Sequence, residues 1–245
     1  MGRIISIGGG DFGHLKTFEI DKYIVKSTNK EKPRALFIPT ASYDAPTYIE
    51  IFNKVYGEML GCHTDTLYLI NNNINEDEIK EKIFSSDIIY VGGGDTKNML
   101  KVWKENKVDY YLKQSFNGET ILCGLSAGSI CWFEYGYSDS SSEGDECKNY
   151  IKLEALGLLK GFHCPHFNED NRREGFIDML KHNDILGIGL DNNCALEVFD
   201  DKFRILKSDR NAKAYKIFNK NNVVITEELT NIESYYSLKN FYNIF

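Results

Sequence analysis

The apolar positions of this chain fall in short runs, and run after run ends in a glycine or polar turn followed by a helical pattern. Residues 3–7 read as a strand that stops at Gly8-Gly9-Gly10-Asp11, and 35–38 as a second that stops at Pro39-Thr40-Ala41-Ser42 ahead of a helix over 48–60. A third strand spans 64–70 and a short amphipathic helix 76–84. The fourth strand, 87–91, ends in Gly92-Gly93-Gly94-Asp95 before a helix over 97–103. The fifth, 119–123, runs directly into Gly124-Leu125-Ser126-Ala127-Gly128, with the first turns of an apolar helix over 129–133. Further on, 161–164 and 186–190 read as strands flanking a helix over 171–181. The segments 194–199, 203–207 and 213–218 alternate as antiparallel strands that finish the sheet. Strand–turn–helix alternation of this kind predicts an α/β fold, a mainly parallel sheet covered by helices on both faces. Neither an internal repeat nor a linker interrupts it, so residues 1–245 are expected to form one domain. The Ser-, Gly- and acid-rich stretch 136–149 reads as a loop, either a lid or a surface excursion.

In such sheets ligands bind outside the carboxyl ends of the strands. The glycine turns, the turn at 39–42 and Ser126 all belong to that end. Ser126 is the strongest candidate among them. G-x-S-x-G between a strand and a helix is the pattern of a nucleophile elbow, which holds the serine hydroxyl out on a strained turn. A serine that merely caps the helix is the plainer alternative.

A serine nucleophile needs a base, and the chain has five histidines. His14, His63 and His182 fall in polar turns or beside a helix end. His163 and His166 flank Pro165, which biases Cys164 toward an extended conformation and marks the end of a strand. Alternation then sends His163 into a sheet face and leaves His166 on the rim with Ser126, as general base. The N–H of Ala127, next after the nucleophile, and those of the Gly92–Gly94 turn are the candidate oxyanion donors. The Gly92–Gly94 and Gly8–Gly10 turns are also able to cradle a phosphate, but no complete nucleotide motif surrounds either.

Composition narrows the function further. A net charge of −7 argues against nucleic acid as a partner. No apolar run is long enough to span a bilayer. The start of the chain lacks a signal-peptide layout, and the six cysteines show no C-x-x-C pair. A cytoplasmic protein without a metal is the expectation.

Four segments, in this order, carry a resemblance: Tyr90-Val-Gly-Gly-Gly-Asp-Thr96, Gly124-Leu-Ser-Ala-Gly-Ser129, Cys164-Pro-His-Phe167 and Gly189-Leu-Asp-Asn192. They resemble the peptidase E and cyanophycinase family of serine peptidases, whose fold is similar to the class I glutamine amidotransferases, a flavodoxin-like three-layer sandwich. The resemblance implies Ser126 as nucleophile, His166 as base, and an oxyanion hole built from Gly93, Gly94 and Ala127. It leaves the third triad position open. Relatives usually carry an acid where the alignment puts Asn192, with Asp191 just before it, and Asp139 matches an aspartate shortly after the elbow helix. The aspartyl dipeptidases of the family hold an acidic substrate side chain with an arginine, and Arg173, backed by Arg172, stands in that region. The resemblance thus implies a serine-type exopeptidase or dipeptidase of small peptides, including those with N-terminal Asp, working as monomer or homodimer without a cofactor. A second reading is a catalytically idle amidotransferase-like domain that binds a peptide or metabolite, and a third is an esterase.

Overall fold

The computed structural model describes residues 2–70, 72–140, 150–169, 171–221, 223–230 and 234–243. The first half alternates as the apolar runs predict: β1 (Arg3–Ile7), α1 (Phe18–Lys26), β2 (Arg34–Ile38), α2 (Pro46–Phe52) with a π-helical continuation (Asn53–Met59), β3 (His63–Thr66) and α3 (Glu76–Phe84). Then come β4 (Ile88–Val91), α4 (Thr96–Glu105), α5 (Val108–Ser115), β5 (Ile121–Leu125) and a four-residue α6 (Ala127–Ile130). The second half holds β6 (Phe133–Ser138), β7 (Ile151–Glu154), β8 (Leu159–Cys164), α7 (Arg172–Lys181) and β9 (Gly187–Leu190). It finishes with β10 (Cys194–Phe199), β11 (Lys202–Lys207), β12 (Ala214–Lys220), β13 (Val223–Glu228), β14 (Tyr236–Ser237) and α8 (Leu238–Tyr242).

The strands form two sheets. An eight-stranded sheet has the order β14-β11-β10-β1-β5-β4-β2-β3, parallel from β1 to β3 and antiparallel from β1 through β10 and β11 to β14. A six-stranded sheet has the order β13-β12-β9-β8-β6-β7, with parallel pairing only among β6, β8 and β9. The architecture is the expected three-layer α/β sandwich, with one rearrangement. The segments expected to finish a single sheet divide: β10 and β11 extend the large sheet, whereas β12 pairs with β9 in the small one.

Side-chain alternation along the strands builds the layers. Ile4, Leu36, Ile89 and Leu122 face α3, α4 and α5 together with Leu159 and Ile188 of the small sheet. Ile5, Ile7 and Phe37 face the other way, onto Ile20 and Ile24 of α1 and Phe52 of α2. There Phe37 stacks on Phe52 with ring centroids 4.5 Å apart, and Phe52 on Tyr56 at 4.6 Å. The far face of the small sheet is covered by Phe176 and Leu180 of α7.

Three local expectations change. The elbow helix stops at Ile130, and Phe133 starts a strand that continues to Ser138, into the stretch expected as a loop. The remainder of that loop, 141–149, lies outside the described residues. The third strand is confined to His63–Thr66.

α1 carries a buried carboxyl on its inner face. Asp21 is 1% exposed and accepts hydrogen bonds from the Thr17 hydroxyl at 2.8 Å and the Tyr56 hydroxyl at 3.0 Å. Burial pushes its pKa up to about 7. The stability tied to its protonated form is therefore complete below the unfolded-state pKa and is lost as pH rises through about 7. Asp21→Asn should remove that dependence. Its Tm relative to the parent should rise from pH ~4 to pH ~8, by the equivalent of a few kcal/mol at most. Parallel Tm–pH curves for the two proteins would contradict this account.

Candidate active site

β5 ends at Leu125 and α6 begins at Ala127, so Ser126 alone makes the turn, at φ 58° and ψ −112°. A non-glycine residue in that region costs on the order of 1–3 kcal/mol and persists only where its surroundings overdetermine it. Here they do. The Ser126 N–H donates to the Ile7 carbonyl at 3.1 Å, and the Ser126 carbonyl accepts from the N–H groups of Ser129 and Ile130. The flanking glycines let three backbone segments meet. A Cβ at Gly124 would come within 2.3 Å of the Gly128 carbonyl oxygen, and one at Gly128 within 2.1 Å of that of Val91.

His166 reaches Ser126 from the small sheet, just past the end of β8. Its own φ is 51°, and its N–H donates to the Gly8 carbonyl at 2.8 Å, tying it to the turn after β1. The ring lies with Nε2 2.8 Å from Ser126 Oγ and Nδ1 2.6 Å from Asn192 Oδ1. Since an amide oxygen only accepts, Nδ1 carries the proton and Nε2 is the acceptor for the serine hydroxyl. Gly9 makes this possible, because a Cβ there would sit 2.1 Å from Asn192 Oδ1 and 2.3 Å from His166 Nδ1. The first glycine turn is thus the wall behind the histidine. Burial, reinforced by the Arg172 guanidinium, holds the His166 pKa below the usual imidazole value, with Glu169 and Asn192 acting in the opposite direction.

His163 diverges from His166 as the alternation around Pro165 predicts. It is fully buried, stacks on Phe133 with centroids 4.6 Å apart, and places Nε2 2.9 Å from Ser129 Oγ and Nδ1 3.0 Å from the Ile188 carbonyl. Burial brings its pKa down to about 3.

The three candidates for the position beside Nδ1 separate cleanly. Asn192 is there. Asp191 turns away, accepting the Lys213 N–H at 2.9 Å, because adjacent residues leaving β9 project to opposite sides. Asp139 pairs with Arg172 at 3.1 Å instead. A residue passed over in the sequence joins the group: Glu169 Oε1 lies 3.1 Å from His166 Nδ1 and accepts the Asn192 Nδ2–H at 3.1 Å. Its H-x-x-E spacing from His166 was the available signal.

Ser126 and His166 open onto a cleft of about 430 Å³ whose walls include Asp95, Thr96, Asp139, Glu169 and Arg172. Ala127 is the first residue of α6, so its N–H has no partner within the helix. The second glycine turn presses on the elbow, since a Cβ at Gly93 would lie 3.3 Å from Ser126 Cβ. Gly94 has φ 138°, and a Cβ there would meet the Ala41 carbonyl oxygen at 2.1 Å. The Gly93 N–H is engaged by the Tyr48 hydroxyl at 3.3 Å, so an oxyanion would have to displace that contact. Arg172, 4% exposed, also donates to the Pro165 carbonyl at 3.1 Å. Arg173, the arginine preferred from the sequence, lies over Phe167 and Tyr215 in a separate cavity with Asp191. Among the described residues no cluster of three or more His, Cys, Asp or Glu side chains is arranged to hold a metal, and no helix is long and apolar enough to cross a membrane.

The family model of peptidase family S51 matches residues 4–206. The chain belongs to peptidase family S51. The match spans both glycine turns, the elbow, His166 and Asn192. Uncharacterized peptidase YgaJ of Bacillus subtilis (strain 168) is 34% identical over 221 residues, 89% of this chain and 92% of that protein. The fold of this S51 protein is similar to that of a peptidase from an acI-B1 Actinobacterium, with a TM-score of 0.72, 21% identity and 97% coverage of each chain. It is also similar to a putative peptidase E protein from Listeria monocytogenes EGD-e, with a TM-score of 0.60, 19% identity, and 94% and 100% coverage of the two chains.

The space that Gly9 leaves empty yields a prediction. Gly9→Ala should displace the His166–Asn192 pair and lower kcat/KM of the S51 protein by about 100-fold or more, the usual penalty for misplacing a catalytic group by ~1 Å. Circular dichroism would confirm that the fold persists. Unchanged kcat/KM would mean that the pair does not set the rate.

Proposed function

We propose that this protein is a serine-type peptidase that cleaves short peptides through an acyl-enzyme on Ser126. The observation that carries the reading is the single line of contacts Ser126 Oγ–His166 Nε2–His166 Nδ1–Asn192 Oδ1, at 2.8 and 2.6 Å across the ring. Ser126 Oγ attacks the scissile carbonyl while its proton passes to His166 Nε2. The resulting oxyanion is held by the Ala127 N–H and by the Gly93–Gly94 turn. Collapse of the intermediate expels the amine, which takes the proton back from His166. Water, activated by the same nitrogen, then releases the acyl group. The lowered pKa of His166 suits this role, because it keeps the base neutral at physiological pH.

The cleft walls favour peptides with a free N-terminus. Asp95, Asp139 and Glu169 are three carboxylates lining one cleft with a single guanidinium, that of Arg172. A substrate ammonium finds partners in such a cleft. Arg172 lines this cleft and on this reading meets an N-terminal Asp side chain, which would have to compete with Asp139 for it. We therefore read the substrates as short peptides with free α-amines, with Asp at the N-terminus as one accepted residue.

The test is a dipeptide panel with N-terminal Asp, Glu, Ala and Leu, each with and without N-acetylation. The parent protein should cleave free peptides and reject the acetylated ones, and Ser126→Ala should lose turnover by several orders of magnitude while keeping its Tm. Hydrolysis that survives in Ser126→Ala would remove the serine mechanism. Equal cleavage of acetylated peptides would remove the exopeptidase reading.

A further inference from the structure

We propose that Glu169 is a positioning residue that supplies the negative charge missing from Asn192, so that the orienting group of His166 is divided between an amide and a carboxylate. The proposal rests on the Ser126–His166 reading above and concerns how that site works with a neutral residue at its third position.

The local chain geometry explains how a glutamate three residues on returns to its own histidine. His166 has a left-handed backbone at φ 51°, and the Glu169 N–H donates to the His166 carbonyl at 2.9 Å, closing a turn. The carboxylate thereby folds back toward the ring, and one oxygen, Oε1, lies 3.1 Å from His166 Nδ1 and 3.1 Å from Asn192 Nδ2. Asn192 is meanwhile fixed from behind, its N–H donating to Asn168 Oδ1 at 2.9 Å.

Two consequences arise from chemistry alone. The first concerns the amide. An asparagine side chain offers an acceptor on one end and donors on the other, in nearly the same shape. An orienting asparagine is useful only if its oxygen faces Nδ1, since an amide N–H there would force the proton onto Nε2 and leave nothing to accept the serine proton. Glu169 decides that choice, because a carboxylate accepts and so draws Nδ2–H toward itself. The second concerns charge. His166 becomes cationic during the reaction, and a neutral amide offsets that charge less than a carboxylate does. Among the described residues, the charged groups that act most strongly on the ring are Arg172 on α7, Asp139 paired with it, and Glu169, while Asp95 lines the same cleft. Arg172 opposes the imidazolium and Asp139 is engaged with Arg172, which leaves Glu169 as the carboxylate in contact with Nδ1.

The experiment compares the parent with Glu169→Gln, Asn192→Asp, the double variant and Ser126→Ala. Two readouts serve: peptide turnover across pH, and the rate at which a fluorophosphonate labels Ser126. Glu169→Gln keeps the size and removes the charge. It should lower kcat and the labelling rate by about 10- to 100-fold with KM changed less than about threefold. Its acidic limb of kcat/KM should move to lower pH, because loss of a neighbouring anion depresses the imidazole pKa further. Adding Asn192→Asp to Glu169→Gln should restore most of the lost rate, since the charge returns beside Nδ1. A residue that only braced the loop would give neither the shifted limb nor the rescue. Parent-like kcat and pH profile in Glu169→Gln, or a double variant no faster than Glu169→Gln alone, would overturn the proposal. If Ser126→Ala retains turnover and labelling, the underlying assignment falls; if it loses both while Glu169→Gln behaves like the parent, the proposal about Glu169 falls alone.

Discussion

Everything at this site depends on one backbone turn, that of Ser126 at the junction of β5 and α6. Its left-handed φ is unfavourable by itself, and the energy that holds it comes from packing around it. Val91 of β4, Gly124 of β5 and Gly128 of α6 meet at backbone distance, which no residue with a side chain permits at the two glycines. The strain is local while its support is distributed over the parallel centre of the large sheet. That arrangement presents the Ser126 hydroxyl at a fixed point, 2.8 Å from His166 Nε2.

The second requirement is that a histidine from a different sheet arrives at the same point. His166 belongs to the small sheet, yet its backbone N–H is bound to the Gly8 carbonyl after β1 and its ring rests against Gly9. Asn192, past the end of β9, completes the contact, while the Asn193 N–H donates to the Gly9 carbonyl at 2.8 Å. The first glycine turn is thus the joint between the two sheets at the site. It also sets the electrostatics. Burying the imidazole there lowers its pKa, and a buried guanidinium nearby lowers it further, so the ring rests neutral with Nε2 free to accept.

How much of this the sequence made legible depends on which features are local. α3 is read to the residue, since Asn75 caps it, accepting the Glu78 N–H at 2.9 Å, and three acids occupy its first turn. The elbow is legible for the same reason: strand, glycine, serine and glycine are contiguous. The second sheet is not, because short apolar runs such as β6, β8 and β9 look alike whichever strands they pair with. The run 129–133, read as the first turns of a helix, is helical only to Ile130, and Phe133 already begins β6. The separation of Asp191 from Asn192 needed only side-chain alternation to foresee but required the fold to assign. Glu169 was hidden more deeply, since its return to His166 depends on a left-handed φ at the histidine, a conformation that local propensity disfavours. Arg173 was preferred over Arg172 from the sequence, whereas Arg172 lines the cleft with Ser126 and Arg173 a separate cavity. Which of two neighbouring arginines enters the cleft depends on how α7 is rotated against Phe162 and Tyr137.

The central claim is that the strained serine and the histidine beside it make one reactive hydroxyl. Intact-protein mass spectrometry after exposure to a fluorophosphonate, followed by peptide mapping, tests it most directly. The account predicts a single adduct per chain, located at Ser126, forming much more slowly in His166→Ala. An unlabelled protein, an adduct on another serine, or labelling that is indifferent to His166 would contradict it.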